Sequence, residues 1–335
     1  EHLGTRHREF STPLDVAAEL PRVIGYLDEP CADPAAIPAH LVARAASAEV
    51  TVLLSGTGGD EIFGGYRRYR LGPMLRRVGW VPRGAAGSIA RRMADWDLHR
   101  ATPSAERMVL LRKLFTARSR PSFFSAYLST FEPAPAERWS RATALAADPA
   151  SVPETLWAEL TAEMGVAPRG EEAIGMASDH LFYLPDDLLL KEDRTTMGAS
   201  VEGRVPFLDQ ALVEFAAGLP AACRFVRTTG KRVLRTIARR HLPESLAERP
   251  KHGFSVPIEA WFRGPLADLT GDTFAGAGSG VFRMAELRRW HDEHRRGFDR
   301  SGAMWAALCF ELWWSTVGRA TPAELACAGK PRTGR

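Results

Sequence analysis

A glycine-rich loop followed at once by two carboxylates is the most chemically suggestive stretch of this 335-residue sequence: Ser55-Gly-Thr-Gly-Gly-Asp-Glu-Ile-Phe-Gly-Gly-Tyr66. Gly56, Gly58 and Gly59 let the backbone take positive φ and let a ligand come close. Successive backbone N–H groups in such a loop make a concavity that attracts phosphate. Asp60 and Glu61 follow directly, and a carboxylate beside a phosphate cradle is how Mg²⁺ is commonly held, with few protein ligands and several phosphate oxygens. The competing reading is a glycine-rich turn with a helix N-cap at Asp60. The loop has no Walker A lysine and no G-x-G-x-x-G spacing.

Two further segments carry charge in a pattern that could line a cleft. In Tyr183-Leu-Pro-Asp-Asp-Leu-Leu-Leu-Lys-Glu-Asp-Arg-Thr-Thr-Met197, Pro185 fits the first turn of a helix, with Asp186 and Asp187 at its positive end. Asp187 and Lys191 are four apart and can pair; Glu192, Asp193 and Arg194 follow. An amphipathic core helix is the alternative. Next comes Ser200-Val-Glu-Gly-Arg-Val-Pro-Phe-Leu-Asp209, where Glu202 and Arg204 would project from one side of an extended segment, as an ion pair or as ligand contacts. A third segment holds Lys231-Arg-Val-Leu-Arg235 and Arg249-Pro-Lys-His-Gly-Phe254. Lys251 in its Pro/Gly-bounded loop could bring a compact positive charge to phosphoryl oxygens or simply be solvated; His252 reads as structural.

The elements that would position these groups are an α/β unit and a helical remainder. Residues 14–30 read as a helix and turn, and 35–48 as a second helix. The apolar run Val50–Leu54 reads as a strand buried on both faces of a parallel sheet. A strand feeding a glycine loop suits a doubly wound sheet, in which ligands lie beyond the carboxyl ends of the strands. Beyond residue 70, amphipathic helices dominate: 104–117, 153–164, 173–183, 186–200, 209–218, 230–241 and 303–318. Residues 132–153 read as an Ala/Pro-rich surface connection, 271–280 as a mobile glycine-rich loop and 319–335 as a fraying tail.

Composition narrows the classes. The net charge of +4 is small for the length, and the scattered Arg pairs accompany no nucleic-acid module. Cys31, Cys223, Cys309 and Cys327 form no CxxC pair, so they read as buried thiols of a cytoplasmic protein rather than as a zinc or disulfide framework. No signal peptide is visible, and no apolar stretch approaches the ~20 residues of a membrane span. The chain begins at Glu1, which reads as a piece of something longer.

Together the segments 55–66, 183–197, 200–209, 231–235 and 249–261 resemble the asparagine synthetase family, in order and at fitting spacing. The resemblance implies an adenine nucleotide α-hydrolase-like (ATP pyrophosphatase) parallel sheet, partial over residues 1–70, a mainly helical region over 71–318 and a tail at 319–335. It implies ATP and Mg²⁺, with Ser55, Gly56, Gly58 and Gly59 at ATP and Asp60 on the metal. Lys251 would stabilise phosphoryl charge. Glu61, Asp187, Asp193, Arg194, Glu202 and Arg204 remain substrate or structural candidates. The implied reaction is amidation of aspartate through β-aspartyl-AMP, giving asparagine, AMP and pyrophosphate, with ammonia coming from glutamine. A homodimer is compatible; nucleic acid and membrane are not expected.

Three departures from the family's pattern bear on activity. The sequence shows neither the glutaminase domain with its N-terminal cysteine nor the SGGxDS loop of the family's first strand. Thr57 stands where the family often carries Glu or Asp, a position that affects intermediate formation. These keep open a related amide-forming ligase, of the β-lactam synthetase or lasso-peptide cyclase type, and an inactive remnant acting as a binding module.

Overall fold

The computed structural model describes residues 3–10, 14–95, 103–120, 122–128, 151–163, 170–224, 230–247, 249 and 256–318. The helices in chain order are α1 (Val16–Ile24), α2 (Ala36–Ala46), α3 (Gly59–Phe63), α4 (Leu71–Arg77), α5 (Arg83–Asp95), α6 (Pro103–Ser119), α7 (Phe123–Leu128), α8 (Ser151–Glu163), α9 (Glu171–Ser178), α10 (Leu190–Met197), α11 (Gln210–Ala217), α12 (Ala221–Arg224), α13 (Arg232–His241), α14 (Glu244–Ala247), α15 (Ile258–Arg263), α16 (Ala267–Ala275), α17 (Met284–Arg295) and α18 (Ser301–Trp313). Two short strands, β1 (Val52–Leu54) and β2 (Glu202–Arg204), pair in parallel with Val52 opposite Glu202 and Leu54 opposite Arg204.

The principal core joins the two ends of the described chain. α1 starts at Asp15, whose side chain accepts from Ala18 N at 3.1 Å, a capping bond that satisfies one of the first turn's free donors. Its buried residues Val16, Leu20, Val23 and Ile24 share one face, the spacing of an amphipathic helix. Val16, Leu20 and Ile24 of that face, with Leu27 and Ile37, pack on Phe262, Leu266, Phe274 and Leu287 and on Met304 and Leu308 of α18. α18 is buried on nearly every side, as expected for a helix apolar all round. Each such side chain contributes about 1.5–3 kcal/mol by leaving water. Two indoles then clamp the turn after α1: Trp305 Nε1 donates to Ala32 O at 2.9 Å, and Trp313 Nε1 to Asp28 O at 3.2 Å.

Several expectations need correction. The strand at 50–54 is not buried on both faces: Leu54 is 73% exposed, and among the described residues β1 pairs only with β2. The helix and turn expected over 14–30 are present as α1 to Ile24 and a turn after it. The helices expected at 173–183 and 186–200 are one continuous run over 171–197, whose middle, Asp179–Leu189, is π-helical. Leu190 N–H reaches back to Pro185 O, the wide i→i+5 closure of a π turn. Pro185 therefore lies inside the run rather than at its first turn, so Asp186 and Asp187 do not occupy a helix's positive end. Residues 271–275 belong to α16, which leaves only 276–280 of the expected glycine-rich loop. Of the connection expected at 132–153, residues 151–153 belong to α8, and the rest, like the tail from 319, lies outside the described residues.

Candidate functional site

The glycine loop runs from the carboxyl end of β1 into α3, and the later segment 202–208 fixes its shape. Ser55 N donates to Arg204 O at 2.8 Å, extending the β1–β2 ladder by one rung. The Ser55 hydroxyl accepts from Thr57 N at 3.1 Å and donates to Thr57 Oγ1 at 2.9 Å, closing a tight turn. Gly58 has φ +90°, and a Cβ there would meet Leu208 Cδ2 at 2.4 Å; at Gly59 a Cβ would touch the Phe207 ring at 3.3 Å. Both glycines are buried under the 206–208 turn. Gly56 differs: it is exposed and a Cβ would meet nothing within 4 Å. The open side of the loop, where a phosphate could approach the backbone, is the side of Gly56.

The two carboxylates point to different places. Gly58, not Asp60, is the N-cap of α3, and Asp60 lies in its first turn. Asp60 Oδ2 is 3.0 Å from Lys231 Nζ, with both side chains partly accessible. Glu61 is buried at 1% exposure and accepts from the Tyr66 hydroxyl, so it supports the loop from behind.

Behind Glu61 lies a chain of aromatic and charged groups that connects the loop to the π segment. Tyr66 packs edge-on to Tyr69 and Tyr183, and the Arg68 guanidinium stands 3.8 Å from the Tyr66 ring centroid and 4.6 Å from that of Tyr183. Arg68 Nη2 donates to Asp179 Oδ2 at 2.8 Å, Tyr69 OH to the same oxygen at 2.6 Å, and Arg68 Nε to Tyr127 OH at 2.7 Å. Burial pushes the Asp179 carboxyl above the ordinary range, against the pull of Arg68 and the hydroxyls.

Further along the π segment, Asp187 accepts from the Cys31 thiol at 3.8 Å, while Lys191 pairs with Asp33 rather than with Asp187. Burial, then the Asp33 carboxylate, raises the Asp187 pKa to about 6. Burial likewise pushes the Cys31 thiol up to about 11, so it stays protonated and unreactive at neutral pH. Burial, then Asp187, also pushes the Tyr183 hydroxyl up.

The remaining described candidates have partners of their own. Arg194 pairs with Asp28, and Asp193 is largely exposed. Glu202 and Arg204 do share one side of β2, with Arg204 Nε 2.9 Å from Glu202 Oε1, in an exposed pair. Lys251 lies outside the described residues. Sequence reading named Lys231 within its segment but gave it no role, and it passed over Arg68, Asp179 and the Cys31–Asp33 turn. The signals were a lysine directly after Gly230, and Asp28-Glu-Pro-Cys-Ala-Asp33, a turn too rich in acids to be only a connection.

The asparagine synthase family model matches residues 1–315. The chain belongs to the asparagine synthase family. That family has the adenine nucleotide α-hydrolase-like fold, here mixed α/β, mostly helical, with a small parallel sheet. Among curated relatives, a Mycobacterium tuberculosis (strain ATCC 25618 / H37Rv) protein provisionally named asparagine synthetase (glutamine-hydrolysing) is 34% identical over 327 residues, covering 93% of this chain and 47% of its own. Asparagine synthetase (glutamine-hydrolysing) 1 of Bacillus subtilis (strain 168) is 29% identical over 315 residues, covering 91% and 46%. The chain thus spans about half the length of the curated relatives it matches. Among the described residues no helix is long and apolar enough to cross a membrane.

Proposed function

We propose that this chain carries the synthetase chemistry of an asparagine synthetase, the ATP-dependent amidation of aspartate. The observation that carries the reading is the Ser55–Asp60 loop. It has an open backbone face at Gly56, a tight Ser55–Thr57 turn, and a part-exposed carboxylate in the first turn of α3. In the proposed reaction the aspartate side-chain carboxylate attacks the α-phosphorus of ATP and pyrophosphate leaves; ammonia then displaces AMP from the β-aspartyl carbonyl. The loop's N–H groups would orient phosphoryl oxygens, where fixed donors act most strongly on developing charge. Lys251 is the proposed cation on those oxygens.

The residues present fit Mg²⁺ as a one-carboxylate site. Among the described residues no three His, Cys, Asp or Glu side chains converge, and Mg²⁺ in phosphoryl-transfer sites takes most of its ligands from phosphates and water. Asp60 would hold it, and already attracts a cation in Lys231. Bound there, the ion would neutralise phosphate charge.

Thr57 favours a second reading. Its hydroxyl is engaged with Ser55 and it supplies no acid at a position where an acidic residue would assist adenylation, so a different carboxylate substrate in a related amide-forming ligase fits as well. Pyrophosphate release by the purified chain with ATP, Mg²⁺, aspartate and ammonium, run beside a version extended upstream, tests both. Aspartate-dependent release supports asparagine synthesis. ATP-dependent release with another carboxylate alone supports the second reading. Silence from both versions overturns the first.

A further inference from the structure

Lys231 is held at Asp60 by a backbone arrangement unfavourable to lysine. Among the described residues only Ser200 and Lys231 take positive φ without being glycine, and Lys231 has φ +56°, a left-handed conformation that a Cβ disfavours. It is the N-cap of α13 yet makes no capping bond with its side chain. Lysine has no acceptor to offer the free N–H groups there, and its positive charge lies at the positive end of the helix dipole. Asn, Asp or Gly would suit the position better on both counts, tolerating the left-handed backbone and bringing no positive charge.

Glycines on both sides make room for the pair. A Cβ on Gly230 would stand 2.2 Å from Gly64 O, and a Cβ on Gly65 would stand 1.6 Å from Asp60 Oδ1 and 2.6 Å from Lys231 Cε. Lys231 N also donates to Phe63 O at 3.2 Å, and Gly65 N to Asp60 O at 2.7 Å. The chain after α3 and the chain before α13 therefore close around one ion pair, Asp60 Oδ2 to Lys231 Nζ.

We propose that Lys231 is a resident counter-ion of Asp60 that exchanges with the divalent cation when nucleotide arrives. This rests on the reading of Asp60 given above. A doubly charged ion and an ammonium repel strongly across one carboxylate, so the metal gains Asp60 only as Lys231 leaves it. The lysine stem is flexible and its ammonium compact; once displaced it remains beside the 55–59 loop, where phosphate charge compensates it. Bare divalent ion, with no phosphate to receive the lysine, meets an occupied carboxylate and binds weakly. Metal and nucleotide accordingly bind as a unit.

The test uses Mn²⁺ alone, followed by electron paramagnetic resonance, and Mg·ATP, followed by calorimetry. In Lys231→Gly, which removes the side chain and relaxes the left-handed backbone, Mn²⁺ should bind at least five-fold tighter than in the unmodified chain. Mg·ATP should bind at least ten-fold weaker. Lys231→Arg keeps a cation at Asp60 and should leave Mn²⁺ weak, and adding Asp60→Asn to Lys231→Gly should abolish the gain. Unchanged Mn²⁺ affinity in Lys231→Gly, or a gain that survives Asp60→Asn, overturns the exchange. If the unmodified chain binds no Mg·ATP, the nucleotide reading itself falls, and the Mn²⁺ comparison still decides whether Lys231 occupies a cation site.

Discussion

Lys191 and Asp33 form a mostly buried ion pair between residues 158 apart in sequence. Lys191 thereby compensates two acids at once, since Asp187 lies within its field as well. Removing one partner of such a pair leaves the others without compensation. Lys191→Met should lose about 3–5 kcal/mol at pH 7.5, measured by urea unfolding. The loss should shrink at pH 5, where Asp187 is more readily protonated. Asp33→Asn added to Lys191→Met should recover part of the loss, and a double-mutant cycle isolates the coupling.

Asp187 gives a pH signature of its own. Its pKa in the folded chain, about 6, lies above its ordinary 3.8, so the folded state holds the proton more tightly than the unfolded one. Stability then falls as pH rises from about 4 through 6, and the full penalty persists above that. Asp187→Asn should be more stable than the unmodified chain by roughly 1–2 kcal/mol at pH 7.5, after allowance for solvent screening. The advantage should vanish below pH 4. Melting temperatures across that range read it directly.

Arg68 and Asp179 provide a second buried test. Asp179 is 1% exposed and its Oδ2 takes bonds from Arg68 and Tyr69. Arg68→Met should cost about 3–5 kcal/mol, and Tyr69→Phe about 1–2 kcal/mol for the lost hydroxyl contact to a buried charge. Both are measured by denaturant unfolding.

The loop's glycines should separate into two kinds. Gly58→Ala meets both a positive φ and Leu208 and should cost about 2–4 kcal/mol. Gly56→Ala meets open space and should change stability by no more than about 0.5 kcal/mol, while weakening Mg·ATP binding measured by calorimetry. Equal binding by Gly56→Ala and the unmodified chain would remove the loop's open face from the nucleotide site.

The loop was legible in sequence because glycine spacing and the Asp-Glu that follows are local signals. So were α1, α2 and most helix positions, whose apolar periodicity needs no partner to be seen. Within 200–209, Glu202–Arg204 was legible as extended with the two charged residues on one side, and the turn at 206–208 was not. What reaches across the chain was not. Nothing local to Lys231 tells that its ammonium meets Asp60, because that depends on Gly64, Gly65 and Gly230 closing together in space. Pro185 read as a helix start by propensity, and the surrounding packing carried the helix through it with wider turns. The turn ending at Pro30 read as no more than a turn because the partners of Asp28–Asp33, namely Asp187, Lys191, Arg194, Trp305 and Trp313, all come far later.

The β1–β2 ladder also sets an order of events in synthesis. Val52 must wait for Glu202, and Gly58 and Gly59 for Phe207 and Leu208, roughly ten to thirty seconds of elongation at ribosomal rates. Until then the glycine loop has neither its backbone rung nor its lid. The most local motif in the sequence is thus among the later parts to acquire its shape, and the helices between 71 and 197 emerge before the loop they follow can form.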